Sequence, residues 1–257
     1  MSADVFSLHG KTALVIGAVH AIGQALAHAL AEAGARVAIA STRKTSQEAS
    51  TLHVCFTALA AQGGASFAQV CDATREDEMH TLIQRTLTEL GSLDILINAP
   101  DLPFAKPLPA VSLKEWERVL TVNLTSVYLA CRAASEPMLT RQYGRIINVV
   151  SLLGERGMAN GSAYCAAQAG VLNLTRALAL EWAQSGITVN ALGAGWTEGM
   201  GMIAEEPLRQ QLIRYLPTKR LAHPHEIAEA VVYLASDTTG FLTGQTLWVD
   251  GGALSHL

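Results

Sequence analysis

The chain has no run of basic residues and a formal charge of -4, so nucleic acid and anionic membrane surfaces lack the clustered Lys and Arg they require. Small molecules are the expected partners. The four cysteines, Cys55, Cys71, Cys131 and Cys165, show no CxxC spacing, and His223 and His225 flank a proline at an expected helix start. Neither a disulfide framework nor a bound metal is expected. No apolar run reaches the roughly 18 residues of a membrane span. Asp4 stands where a signal peptide would carry positive charge, and the expectation is a soluble, cytoplasmic protein. Linkers and internal repeats are also missing. The cluster Pro100, Pro103, Pro107 and Pro109 is short with hydrophobic flanks, so residues 1–257 are expected to form one domain.

What is present is apolar: half of the 257 residues are hydrophobic, enough for a large core. Short apolar runs alternate with helical periodicity. Strands are expected at Thr12–Ile16, Val37–Ala40, Ala65–Val70, Asp94–Asn98, Ile146–Val150, Ile187–Leu192 and Gln245–Val249. Helices are expected from Ile22 to about Ala33, over Glu76–Leu90, as one long element over Leu113–Leu139, from about Tyr164 to Trp182, and over His225–Ala235. This alternation points to parallel βαβ units in an α/β fold. The Tyr164 helix is apolar nearly all the way round, so a second subunit is expected to cover the face that the sheet leaves. Gly193 to Met202 has four glycines among apolar side chains and suits a mobile lid, or else an ordinary long loop.

Chemistry concentrates in Ser151 to Gln168. Ser151 is expected at a strand's carboxyl end and Tyr164 in the first turn of the next helix, and ligands of open α/β sheets bind at such strand ends. The same residues also suit a strand-end hydroxyl and a packed tyrosine. Gly17 to Gly23 leads from strand to helix, and such a turn offers backbone N–H groups and a helix N-terminus to a pyrophosphate. It equally suits a helix entry with no ligand. Ser41, Thr42, Arg43 and Lys44 follow the second strand without an acid. Hydroxyls and an Arg there favour a ribose 2′-phosphate over a free 2′-hydroxyl, though the segment also suits a solvated charged turn. Asn123, amid Val122, Leu124 and Val127, needs a polar partner and equally suits a core amide satisfied by the protein itself.

Four segments carry a family resemblance: Ile146-Ile-Asn-Val-Val-Ser151, Tyr164-Cys-Ala-Ala, Gly186-Ile-Thr-Val-Asn190-Ala and Phe241-Leu-Thr-Gly-Gln-Thr-Leu-Trp-Val-Asp-Gly-Gly252. From about Leu8 to Gly252 the chain resembles the short-chain dehydrogenases/reductases, and especially the branch similar to 3-oxoacyl-carrier-protein reductases. The resemblance implies a doubly wound parallel sheet of the Rossmann type, of about seven strands with helices on both faces. It implies Tyr164 as proton donor to a carbonyl, Ser151 as its hydrogen-bonding orienter and Asn123 as holder of a relay water. Gly17, His20, Ile22 and Gly23 would face the cofactor's phosphates, Ser41, Thr42 and Arg43 its ribose phosphate, Asp72 its adenine, and Asn98 would lie beside it. NADPH is expected rather than NADH.

The chain departs from the family pattern where Tyr-x-x-x-Lys reads Tyr164-x-x-x-Gln168. Ala21 and Pro100 replace glycines, and Ala194-Gly195 replaces Pro-Gly. Gln168 can serve the ribose hydroxyls but brings no charge. A unit charge about 5 Å away at an effective dielectric of about 20 contributes roughly 3 kcal/mol, or about two pKa units. Without it Tyr164 is expected near its ordinary value of about 10. The reading is an NADPH-dependent reductase of small apolar carbonyls, slow or altered, and a homodimer or homotetramer. The alternatives are a catalytically impaired binding or assembly partner, or a non-redox Ser-Tyr site.

Overall fold

Short runs of Val, Ile, Leu and Ala build seven strands: β1 (Thr12–Ile16), β2 (Arg36–Ala40), β3 (Ala65–Gln69), β4 (Ile95–Asn98), β5 (Gly144–Ser151), β6 (Ile187–Ala194) and β7 (Thr246–Val249). The structure, a computed structural model, describes residues 5–199 and 206–255. Neighbouring strands all pair in parallel, in the order β3-β2-β1-β4-β5-β6-β7. Parallel neighbours need long crossovers. Here these are α1 (Ala21–Glu32), α2 (Ser46–Ala61), α3 (Glu76–Leu90), α4 (Leu113–Leu120), α5 (Ser126–Arg141), α6 (Ser162–Trp182), α7 (Glu206–Tyr215) and α8 (Pro224–Ala235).

Alternation along each strand divides the interior into two layers. Leu14, Ile16, Leu96 and Ile146 meet Met79, Leu82, Val127 and Val171 of α3, α5 and α6 on one face. Ala13, Val15, Ile95 and Ile147 meet Leu26, Leu30, Ile227 and Val231 of α1 and α8 on the other. Strands buried on both faces explain why these runs read as continuously apolar. The winding reverses between β1 and β4, and the fold is Rossmann-like, with its crevice expected outside the carboxyl ends of those strands. Among the described residues no helix is long and apolar enough to cross a membrane.

Four expectations need correction. Helix α2 was not expected because its buried Leu52, Cys55 and Leu59 are thinly spread among Ser, Thr and His; it starts where the Thr45 side chain accepts from Glu48 N at 3.1 Å. Helix α7 lies in a stretch for which no element was expected. The long helix over Leu113–Leu139 is interrupted by a π-turn, Thr121–Thr125, which separates α4 from α5. Finally, Gly193 and Ala194 complete β6 and Trp196 is buried, so this part of the expected lid is framework. Met200 to Met202, the end of that stretch, lie outside the described residues.

The face of α6 turned to solvent carries Ala166, Ala169, Asn173, Arg176 and Ala177. Leu174, Leu178 and Trp182 are half-buried and pack against the chain's own core. Leu180 is the large apolar side chain of this helix left in water, 81% exposed.

Candidate active site

Strand β5 ends at Ser151, and the loop that follows lets α6 begin at Ser162, which puts Tyr164 in its first turn. Both side chains are buried at the carboxyl edge of the sheet, above a third apolar cluster that includes Leu152, Leu153 and Trp196. Gln168 lies one turn further along α6. Its Oε1 accepts a hydrogen bond from the Ser151 backbone N at 2.9 Å, which leaves its amide nitrogen to serve a ligand. Ser151 Oγ accepts from Leu153 N at 3.2 Å and also stands close enough to the Tyr164 phenol to favour its ionised form.

Sequence reasoning missed the nearest partner of that phenol. Tyr164 Oη donates to Asp101 Oδ1 at 2.9 Å. Burial drives the Tyr164 pKa well above its ordinary value, and the negative charge and acceptor of Asp101 push it further the same way, outweighing Ser151. The expectation of a Tyr164 near 10 is thereby corrected. Asp101 itself is raised above the usual carboxylate range by burial, against the opposing effects of His20 and the Tyr164 hydrogen bond. The one sequence signal for it was an acid inside an apolar, proline-rich stretch, Ala99-Pro-Asp-Leu-Pro103.

Asn123 occupies the π-turn, and its side chain holds the loop after β4. Oδ1 accepts from Leu102 N at 2.9 Å, while Nδ2 donates to Leu102 O at 3.1 Å and to Val119 O at 3.0 Å. The amide that was expected to hold a water is thus engaged with the residue next to Asp101. Pro100 and Pro103 stiffen the same segment by fixing φ at two positions.

A cleft of about 380 Å³ runs from these residues along the β1–α1 turn to Arg43. Gly17 sits at φ 93°, and any side chain there would collide with the Ala99 carbonyl; at Gly23 it would collide with the carbonyl of Gly17. The two glycines let β1, α1 and the loop after β4 close on one another. The first helical bond of α1 runs from Gln24 N to His20 O at 2.9 Å, so the amides of Ala21, Ile22 and Gly23 are the open donors of the first turn. His20, Ile22 and Gly23 all line the cleft. This cradle of amides with an Arg at its far end fits the phosphates of a dinucleotide.

The remaining expected cofactor residues divide. Arg43 lines the cleft while its Nε bonds Glu48 Oε1 at 2.7 Å, and the other Glu48 oxygen accepts from the amides of Thr42 and Arg43 at 3.0 and 2.9 Å. Glu48 could not be placed without α2. Ser41 and Thr42, expected to meet a phosphate, are instead fully buried. The Ser41 hydroxyl ties down the backbone of Cys71, donating to its O at 3.0 Å and accepting from its N at 2.9 Å. Asp72 closes an Asx-turn through Thr74, and Asn98 turns into the sheet, donating to Asn148 Oδ1 at 2.9 Å. Asn148 in turn donates to Thr175 Oγ1 at 2.9 Å, a buried chain linking β4, β5 and α6 that the sequence did not reveal.

A family model described as enoyl-(acyl carrier protein) reductase matches residues 17–254. The chain belongs to the short-chain dehydrogenases/reductases. It is 39% identical over 245 residues to a cis-4-hydroxycyclohexanecarboxylate dehydrogenase of Sinomonas cyclohexanicum, covering 94% of this chain and 96% of the relative. It is 34% identical over 246 residues to a 3-oxoacyl-[acyl-carrier-protein] reductase of Haemophilus influenzae, covering 95% and 98%. Among solved structures, a gluconate 5-dehydrogenase from Burkholderia cenocepacia in complex with NADP and tartrate superposes with a TM-score of 0.91. That enzyme is 30% identical, and the match covers 100% of both chains. Membership of this family, on the branch of the 3-oxoacyl-carrier-protein reductases, makes the protein an oxidoreductase acting on CH–OH and C=O groups.

Proposed function

We propose that the chain is an NADPH-dependent carbonyl reductase, interconverting a small apolar ketone and its secondary alcohol, and that it acts as a homodimer or homotetramer. The observation that carries the reading is one continuous cleft with Ser151 and Tyr164 at one end and the open α1 amides and Arg43 at the other. When bound there, a dihydronicotinamide supplies the hydride. Tyr164 gives its proton to the carbonyl oxygen, and Ser151 holds that oxygen in reach. Gln168 fixes Ser151 through its carbonyl and offers its amide nitrogen to a ribose hydroxyl. Arg43, steadied by Glu48, meets the 2′-phosphate. Support for NADPH comes from this cation and from the relative solved with NADP.

A second reading, a chain that binds cofactor without turning it over, draws on the neutral Gln168 and on a Tyr164 proton held by Asp101. One comparison separates the two. Purified protein is titrated with NADPH and NADH by fluorescence transfer, and a broad ketone panel is then assayed beside Tyr164→Phe. The reductase reading expects tighter NADPH binding and a ketone-dependent oxidation of NADPH that Tyr164→Phe removes. NADPH binding with no turnover on any ketone overturns it in favour of the second.

A further inference from the structure

The contact between Tyr164 and Asp101 gives the tyrosine's proton two destinations. One O···O hydrogen bond of 2.9 Å can carry one proton only. With Asp101 ionised, that proton is the phenol's own, and it is held away from any substrate oxygen. With Asp101 protonated, the carboxyl donates to the phenol oxygen instead, and the O–H of Tyr164 is free to turn toward the cleft. We propose that Asp101 is a positioning residue that gates the proton of Tyr164, withholding it as carboxylate and releasing it as carboxylic acid.

The fold holds the pair at this distance from both sides. Tyr164 is fixed in the first turn of α6 and is 2% exposed. Asp101 lies between Pro100 and Pro103, and the residue after it is clamped at both N–H and C=O by Asn123. The charged and titratable groups around the pair come from every side of the cleft. His20 of the β1–α1 turn acts on Asp101, Ser151 of β5 and Cys165 of α6 act on Tyr164, and Arg43 and Glu198 line the same cleft. Burial opposes the anion of Asp101 more than His20 and the Tyr164 hydrogen bond favour it. Its titration therefore lies above the usual carboxylate range.

The inference rests on the reductase reading for its chemistry. As hydride reaches the carbonyl carbon, the π pair of the C=O bond takes the Tyr164 proton and becomes the O–H of the alcohol. The phenolate left behind takes the Asp101 carboxyl proton, and the carboxylate recovers a proton from water on the His20 side of the cleft. Reduction then needs Asp101 protonated, and alcohol oxidation needs it ionised.

The test uses Asp101→Asn, whose amide nitrogen donates to Tyr164 as the carboxylic acid does, and Asp101→Leu, which does neither. Wild-type kcat for ketone reduction is expected to fall as pH rises through the Asp101 titration, with KM little changed. Asp101→Asn is expected to lose that limb and to exceed wild type on the alkaline side. A second readout needs no turnover: phenolate absorbance is followed with pH, and the same curve for Tyr164→Phe is subtracted. Removing the carboxylate is expected to bring Tyr164 ionisation down by about one to two pH units in Asp101→Asn. Identical Tyr164 titrations, or an Asp101→Asn profile that is merely lower at every pH and matches Asp101→Leu, would overturn the gate. A shifted Tyr164 titration with no turnover on the whole ketone panel would keep the gate and remove the reductase reading.

Discussion

Gln168 Oε1 and the Ser151 backbone N are 2.9 Å apart, so the side chain that stands where the family resemblance expects a lysine fastens α6 to the end of β5. Replacing it with Lys has two opposed results. The buried Ser151 N–H loses its acceptor, at about 1–3 kcal/mol. The phenol gains a cation worth roughly 3 kcal/mol at about 5 Å. Gln168→Lys is therefore expected to unfold at lower urea concentration while reducing ketones faster than wild type. Unchanged stability in the variant would show that this hydrogen bond contributes nothing.

Arg43 lines the far end of the cleft, where the proposed cofactor would put its ribose phosphate. Arg43→Ala is expected to weaken NADPH binding about 10- to 100-fold, the loss of a charge-assisted contact of roughly 1.5–3 kcal/mol, and to leave NADH nearly untouched. Equal losses for the two cofactors would place the phosphate elsewhere. Ser41→Asp would bury a charge in place of a hydroxyl already bonded to Cys71.

Acid stability is expected to depend on Asp94. Burial alone would raise its pKa, but bonds from the Thr12 amide and hydroxyl, both at 2.8 Å, and from Arg141 at 2.8 Å hold it below the usual range. A lowered folded pKa contributes stability above the unfolded value of about 3.9 and loses it as pH falls through the folded value. Urea midpoints measured from neutral pH downward are expected to decline in wild type and to change less in Asp94→Asn. Parallel declines would remove Asp94 from the account.

Leu180 and Phe241 present their side chains almost wholly to water in the single chain, at 81% and 105% exposure. If they are covered in the proposed oligomer, Leu180→Glu and Phe241→Glu are each expected to shift sedimentation toward the monomer at micromolar concentration. A wild-type chain that already sediments as a stable monomer contradicts the oligomer itself.

The layered core was legible in the sequence because a strand buried on both faces must be apolar throughout, and β1, α3 and α6 fall close to where composition put them. Helix α2 was not legible, because Ser, Thr and His set among its three buried apolar positions carry little helical signal. The break at Asn123 escaped for another reason. One residue accommodated in a π-turn leaves the apolar pattern on either side intact. Ser151, Tyr164 and Gln168 belong to one strand, turn and helix, and local spacing brought them together. Asp101 reaches Tyr164 across 63 positions of chain, and only the packing of the β4 loop against α6 makes them partners.

The parallel register also decides where charge is felt. Each crossover helix that follows a strand runs back against it, so the positive ends of α1 and α6 gather at the same edge of the sheet as the cleft. A molecule of formal charge -4 thus turns two helix N-termini toward its cleft. Beyond a screening length of about 8 Å in physiological salt the net charge is muted. Inside it, the field that a ligand meets is set by these fixed backbone dipoles together with Arg43, Asp101 and Glu198 of the cleft wall.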